Sequence, residues 1–302
     1  MHQSVADAFL PFTIPLEGKV NFMYLDVKSL VSTGIGNLLE QNEQPLPDTF
    51  TLDWEDKVTH VPASRDEVLQ EWQTVNNSGT ALATLAQKEA ITHLVASDEA
   101  IQGLCTTKLN SFEDFLVNRP EFADLESWTA DAQLGIFSMA WALGPAFRFP
   151  NFQAAAQNRD WLTAARECKM SEAGNPGVIP RNVRNGLLFT LAFWMEAPPP
   201  AEDFSVLVYD PSVKLADNMR SGNFPVPLNL AIGVQTALEH LGFDPNGLDG
   251  VFGQGTRTAL TNFQASNGLQ QTPNAKTIDD VPSETIDALA SGLDAASIGR
   301  IP

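Results

Sequence analysis

Three side chains near the start of the chain have the types and spacing of a hydrolytic site: Glu17, eight residues on Asp26, five more on Ser32. They lie in "EGKVNFMYLDVKSLVSTGIGNLLE", residues 17–40. Glycoside hydrolysis needs two carboxylates in unlike surroundings. One keeps its proton and gives it to the leaving oxygen; the other stays ionised and stabilises charge or activates water. Glu17 precedes an apolar run, where partial desolvation would favour the protonated form. Asp26 falls near a turn that water can reach. Ser32, on the returning strand, would face Asp26 and hold the attacking water. The plainer fate of any single acid is a solvated place on the surface.

The elements around these residues follow from periodicity. "SVADAFL" places Val5, Ala8, Phe9 and Phe12 on one helical face, and Pro11 and Pro15 are expected to stop that helix before Glu17. Val20, Phe22, Tyr24, Val31, Thr33 and Ile35 recur at period two, which predicts a hairpin turning at Lys28-Ser29. A polar, Pro-containing stretch covers 42–62. Helical patterning then begins with a capping box, Ser64 to Glu67, ahead of Val68, Leu69, Trp72 and Val75. "SDEAIQGL" and "SFEDFLV" each open as a helix does. "ADAQLGIFSMAWALG" is apolar nearly all round and predicts a central buried helix, and another helix runs from about Arg181 to Met195. "EAPPPAED", 196–203, reads as a stiff extended connector.

Composition narrows the function classes. The 302 residues carry a formal net charge of -19, which argues against nucleic acid and suits a basic partner such as an immunity or inhibitor protein. No apolar run reaches the roughly 18 residues of a membrane span, so no membrane insertion is expected. The start lacks a basic n-region, so no signal peptide is expected and the protein would be made in the cytoplasm. Two cysteines, Cys105 and Cys168, allow at most one disulfide, and the absence of a CxxC pair speaks against a structural zinc site. No metal and no cofactor are expected.

The string Glu-x8-Asp-x5-Ser followed by Gly-x-Gly resembles the active-site stretch of the phage T4-type lysozymes, a muramidase family. Glu17, Tyr24, Asp26, Ser32, Gly34 and Gly36 occupy the matching places. Ser32 stands for the family's Thr, and Asn37 stands where many members carry His. "NPGVIPRNVRNGLLF" resembles the family's late Pro-Gly-Leu/Arg-Arg stretch, and "AQLGIFSMAWALG" its central helix, with Gln133, Ser138 and Gly144 in register and Ala142 replacing an Asn. The resemblance covers residues 1 to about 195 and matches poorly over 42–125. It implies Glu17 as general acid, Asp26 as the carboxylate that activates water and Ser32 as the water-positioning hydroxyl. Arg181, Tyr24 and Asn37 would support them, with Arg181 orienting Glu17.

A second pattern starts near Leu228. "VQTALEHLGF…LDGVFGQGTRTALTNFQASNGL" resembles the peptidoglycan-binding domain of bacterial cell-wall hydrolases. Leu238, Leu241, Ala259, Leu260 and Phe263 are core positions; Gly242, Gly250, Gly253 and Gly268 suit positive φ at turns; Thr256 would cap the following helix. A groove near Asp249, Gly250, Phe252, Gly253 and Gln264 would take the muropeptide stem. "GTRTAL" is faintly echoed by "SETIDAL".

These readings predict a mainly α (α+β) protein. A lysozyme-like domain with a small β-hairpin lobe (1–197) is followed by a Pro-rich connector (198–225) and a small helical peptidoglycan-binding domain (226–302). The implied activity is hydrolysis of the β-1,4 bond between N-acetylmuramic acid and N-acetylglucosamine, as an endolysin released through a holin or an effector injected by a secretion system, with action on the wall in the periplasm. Alternatives are a lytic transglycosylase and a catalytically inactive wall-binding protein.

Overall fold

The computed structural model describes residues 1–26, 28–79, 84–198, 200–209, 215–221 and 230–298. It is mainly helical with small sheets, and it divides into two compact units, one of Phe12–Ser111 and one of Met1–Pro11 with the chain from Phe112 onward. The division falls inside two helices, α1 (Gln3–Glu17) and α5 (Asp98–Val117). Parts of the expected 198–225 connector, including 210–214 and 222–225, lie outside the described residues.

The smaller unit holds the β structure. β1 (Val20–Leu25), β2 (Val31–Gly34) and β3 (Asn37–Leu38) form an antiparallel sheet in that order. β4 (Glu40–Gln41) pairs with β5 (Gln44–Pro45). α2 (Asp48–Thr51) precedes β6 (Trp54–Asp56), which pairs with β7 (Leu94–Ala96) after α3 (Arg65–Asn76) and α4 (Leu85–Ala90). The Ser64–Glu67 capping box forms as expected. The polar, Pro-containing 42–62 stretch contains short paired segments too brief to carry a period.

Two helix boundaries differ from expectation. α1 runs through Pro11 and Pro15 to Glu17. An interior proline costs about 3 kcal/mol, but Val5, Phe9 and Phe12 are fully buried along one face, and that burial holds the helix. The helix ends instead at Gly18, whose φ of 77° lets its amide reach Ile14 O at 2.8 Å. Second, "SFEDFLV" opens no new helix: α5 continues through it, and Ser111 Oγ donates back to Lys108 O at 2.7 Å rather than capping.

The larger unit is helical: α6 (Ala130–Leu143), α7 (Pro150–Gln157), α8 (Trp161–Glu167), α9 (Ile179–Glu196), α10 (Leu215–Ser221), α11 (Leu230–His240), α12 (Gln254–Ser266) and α13 (Ser283–Ile298). α6 is buried from Ala130 to Trp141, as its composition predicts. It lies close to α9, where a Cβ on Gly135 would come within 2.8 Å of the Phe189 ring. Aromatic contacts bind the neighbouring helices, with Trp128–Trp161 at 4.9 Å and Phe152–Phe189 at 5.1 Å between centroids.

α9 also carries the C-terminal helices. Leu187 and Leu191 pack against the fully buried Ile232 of α11, and Lys169 pairs with Glu239 at 2.7 Å. A Cβ on Gly186 would meet Leu248 at 3.4 Å. The module therefore shares apolar surface with the helix before the prolines, so it is not simply hung from a stiff connector. Both cysteines are free and buried.

Asn185, fully buried on α9, has neither side-chain atom hydrogen-bonded to protein. An unsatisfied buried polar group costs about 1–3 kcal/mol. Asn185→Leu is expected to stabilise the fold by about that amount, read as a raised urea midpoint. A lowered midpoint would mean that ordered solvent bridges the amide.

Candidate functional site

The hairpin brings the predicted residues to one lobe. Glu17 is the last residue of α1 and is exposed, so the partial desolvation expected of it is not found; the apolar run after it faces the core through Phe22 and Met23 instead. Asp26 is half-buried, and its Oδ1 accepts from the amides of Lys28 at 2.8 Å and Leu30 at 2.9 Å, fixing the Lys28-Ser29 turn where it was expected. Ser29 takes the left-handed conformation that this turn requires, with φ 62°.

Ser32 does not stand opposite Asp26. Its ladder partner is Tyr24, while Asp26 bonds to Leu30 through its amide at 2.9 Å. The shift in register between Val20 and Tyr24 sets this pairing. Side chains two apart on a strand share a face, so Tyr24, Asp26 and Ser32 remain on one side of the hairpin. Ser32 is buried, with Oγ 3.5 Å from Leu30 O.

Tyr24 lies within electrostatic reach of both carboxylates. Its phenol is pushed up to about 12, first by burial and then by the negative charges of Asp26 and Glu17. Two cations that the sequence did not flag complete the lobe. Lys88 Nζ donates to Leu25 O at 2.8 Å and lies 5.6 Å from the Tyr24 ring centroid. Lys108 is pulled below its ordinary value by burial, opposed by the thiol of Cys105 and the carboxylate of Glu17. No local motif links Lys108 to Glu17; only the run of α5 places them in electrostatic reach.

Asn37 supports the Gly-Ile-Gly turn rather than a charge. Its Oδ1 accepts from Ile35 N at 3.2 Å and from Cys105 Sγ at 3.9 Å. A Cβ on Gly34, whose φ is 65°, would come 2.8 Å from that oxygen and 3.3 Å from Ile101 Cγ2. The clasp therefore needs glycine at Gly34. A further buried acid, Glu40, accepts from Val31 N at 2.8 Å and holds the hairpin from behind. Arg181 belongs to the other unit. There it is buried on α9 and donates to Ser138 O at 3.1 Å and Ser138 Oγ at 3.0 Å.

In the C-terminal module two buried glutamines organise the fold. Gln235 Nε2 donates to Thr256 Oγ1 at 3.0 Å, Asp249 Oδ1 at 3.0 Å and Val251 O at 3.1 Å, and its Oε1 accepts from Gly250 N at 2.8 Å. Gln264 repeats the device: its amide donates to Thr285 at 3.2 Å and Thr272 at 2.9 Å, and its oxygen accepts from Thr272 N at 2.8 Å. The faint echo between the two Ala-Leu helices is thus a repeated Gln–Thr clasp.

This corrects several expected roles. Gln264 is fully buried and committed to the fold, so it does not line a groove, and Phe252 is a core residue. Asp249 is taken up by Gln235 and Val251 N. Thr256 donates to Val251 O and does not cap α12, whose N-cap is Gly253. Gly253 has φ of -73° and needs no glycine freedom, whereas Gly250 at 72° does. The outward residue of this loop is Val251, 62% exposed.

Among the described residues no helix is long and apolar enough to cross a membrane. No match to the chain is found among the curated proteins. Residues 232–275 match the family model of the peptidoglycan binding domain, so the Gln235 clasp, its glycine loop and α12 lie inside a domain whose family associates with the cell wall, and peptidoglycan is the partner that it supports.

Proposed function

We propose that the protein is a peptidoglycan hydrolase, an N-acetylmuramidase cutting the β-1,4 bond between N-acetylmuramic acid and N-acetylglucosamine. The observation that supports this reading is that Glu17 and Asp26 both lie within electrostatic reach of the Tyr24 phenol in one lobe. The wall-binding domain in the same chain supplies the matching substrate. Glu17, exposed at the end of α1, would be shielded from water by the bound sugar and then give its proton to the leaving oxygen. Asp26, fixed by two backbone amides, activates water. Ser32 keeps the hairpin face in register beside it. The setting is lysis from within or delivery into a competitor, and a basic inhibitor protein would suit the acidic surface.

One observation favours a second reading, a lytic transglycosylase that works with one acid: Ser32, buried and paired with Tyr24, does not stand opposite Asp26 to hold a water. Digestion of purified sacculi with mass spectrometry separates the readings. Reducing ends support the muramidase, anhydro ends the transglycosylase, and no soluble product leaves only a wall-binding protein.

Retention on sacculi should depend little on salt. In the module, Asp244, Asp249 and Asp280 accept backbone amides, and acids outnumber Arg257 and Lys276. Attraction to an anionic wall then rests on local hydrogen bonds and apolar contact, which screening hardly touches. Pull-down of the full chain at low and high salt measures it; binding that vanishes with salt contradicts the argument.

A further inference from the structure

The chain that follows the prolines is fastened to the helical body at several points. Ser4 Oγ donates to Ser205 O at 2.6 Å, Ala130 N donates to Phe204 O at 2.8 Å, and Asp203 Oδ1 accepts from the amide and hydroxyl of Ser205. The join with the most at stake is Asp131, fully buried in the first turn of α6. Its carboxylate accepts from Val208 N at 3.0 Å and Tyr209 N at 2.8 Å. Val208 and Tyr209 then pack, with Trp194, against Leu187, Leu191 and Ile232. The 203–209 strap therefore starts on α6 and ends on the first helix of the peptidoglycan-binding module.

We propose that Asp131 is a latch: seated on the Val208 and Tyr209 amides it holds the 203–209 strap over the α9–α11 contact of Leu187, Leu191 and Ile232, and on release it lifts the strap and uncovers that contact. The inference stands whether or not the lobe around Glu17 is catalytic, because it uses none of those residues.

The physical argument concerns a buried charge. Among the described residues no cation pairs with Asp131; its compensation is the two strap amides and the start of α6. Burial pushes its carboxyl up to about 6, against the pull of the Val208 and Tyr209 amides. Lifting the strap returns the carboxylate to water, so this join opens at less cost than the aromatic core beneath it. The ionisable groups on the packed elements are Tyr209 and Asp203 on the strap, His2 and the amino terminus on the N-terminal side, and Arg181, Arg184 and Glu196 on α9. None of them is among the causes that move Asp131.

The sign follows from the raised value. In the closed state the carboxyl favours its proton; in the open state it ionises near its ordinary 3.8. The protonated form still offers acceptor lone pairs to the strap. The closed-to-open ratio is therefore greatest in acid, falls about 100-fold as pH rises from about 3 to about 7, and stays level above that.

The test is amide exchange of Val208 and Tyr209 in the full chain between pH 3 and 7.5, expressed as protection factors. In the wild type these two amides should lose about 100-fold of protection with rising pH, while α6 amides hold theirs. Asp131→Asn should flatten the dependence, and Asp131→Ala should strip protection from both amides at every pH. If Asp131→Ala protects them as the wild type does, the latch is wrong. If Asp131→Ala does not fold, the wild type decides: strap amides that exchange only together with α6 at every pH overturn the proposal, and separate opening supports it.

Discussion

Glu17→Gln is expected to lower sacculus lysis by roughly 10²–10⁴-fold, the usual worth of a general acid, while the protein stays folded. The replacement keeps the shape of the side chain and removes only the transferable proton. Its position makes the folding half of this prediction firm. Glu17 is exposed and ends α1, and Lys19, two residues on, pairs with Asp98 rather than depending on it. A negative charge at a helix C-terminus opposes the macrodipole by about 0.3–1 kcal/mol, and the attraction of Glu17 to Lys108 works the other way, so glutamine should change stability little. Turbidity loss on purified sacculi and a thermal melt of the same preparation measure the two halves. Activity above a tenth of wild type would remove Glu17 from the proposed mechanism.

Gly255→Ala should be the most damaging single methyl in the wall-binding module. A Cβ there would sit 2.5 Å from Pro245 O and 2.6 Å from Asn246 Cβ. Backbone cannot step aside as a side chain can, and the loop is already fixed by Asn246 at φ 61° and by the Asn246 amide on Asp244 at 2.7 Å. Overpacking of this kind costs about 1–3 kcal/mol, occasionally more. Sacculus retention and the melting temperature of the full chain should fall together. Gly292→Ala is the internal comparison: its Cβ would meet Leu241 Cδ1 at 2.9 Å, the movable end of a side chain, so its effect should be smaller. Equal effects would show that the loop yields.

The parts legible in the sequence are those decided locally. The Ser64 capping box, the Lys28-Ser29 turn and the apolar α6 each declare themselves within a few residues. α1 was misjudged because two prolines argue against a helix locally, while the burial that overrides them is tertiary. α5 was split because Ser111 carries a start signal that an uninterrupted helix overrules. Among site residues, Glu17, Tyr24 and Asp26 share one electrostatic neighbourhood, as their spacing suggested. Lys88 and Lys108 were invisible, since they arrive from other elements. Gln264, placed in a ligand groove by the resemblance to the peptidoglycan-binding domain, lies inside, and only the matching threonines, Thr272 and Thr285, show why.

The two Gln–Thr clasps have a consequence for how the module can change. Each buried amide grips the backbone of the segment that follows its helix, Gly250 and Val251 in the first case and Thr272 in the second. The shape of the rim is thus moulded from within, by main-chain contacts that do not depend on which side chains point outward. Val251 projects from that rim, most of its surface in solvent. Outer positions of this kind are open to exchange without remaking the scaffold, so the rim's surface chemistry can change while the mould stays fixed.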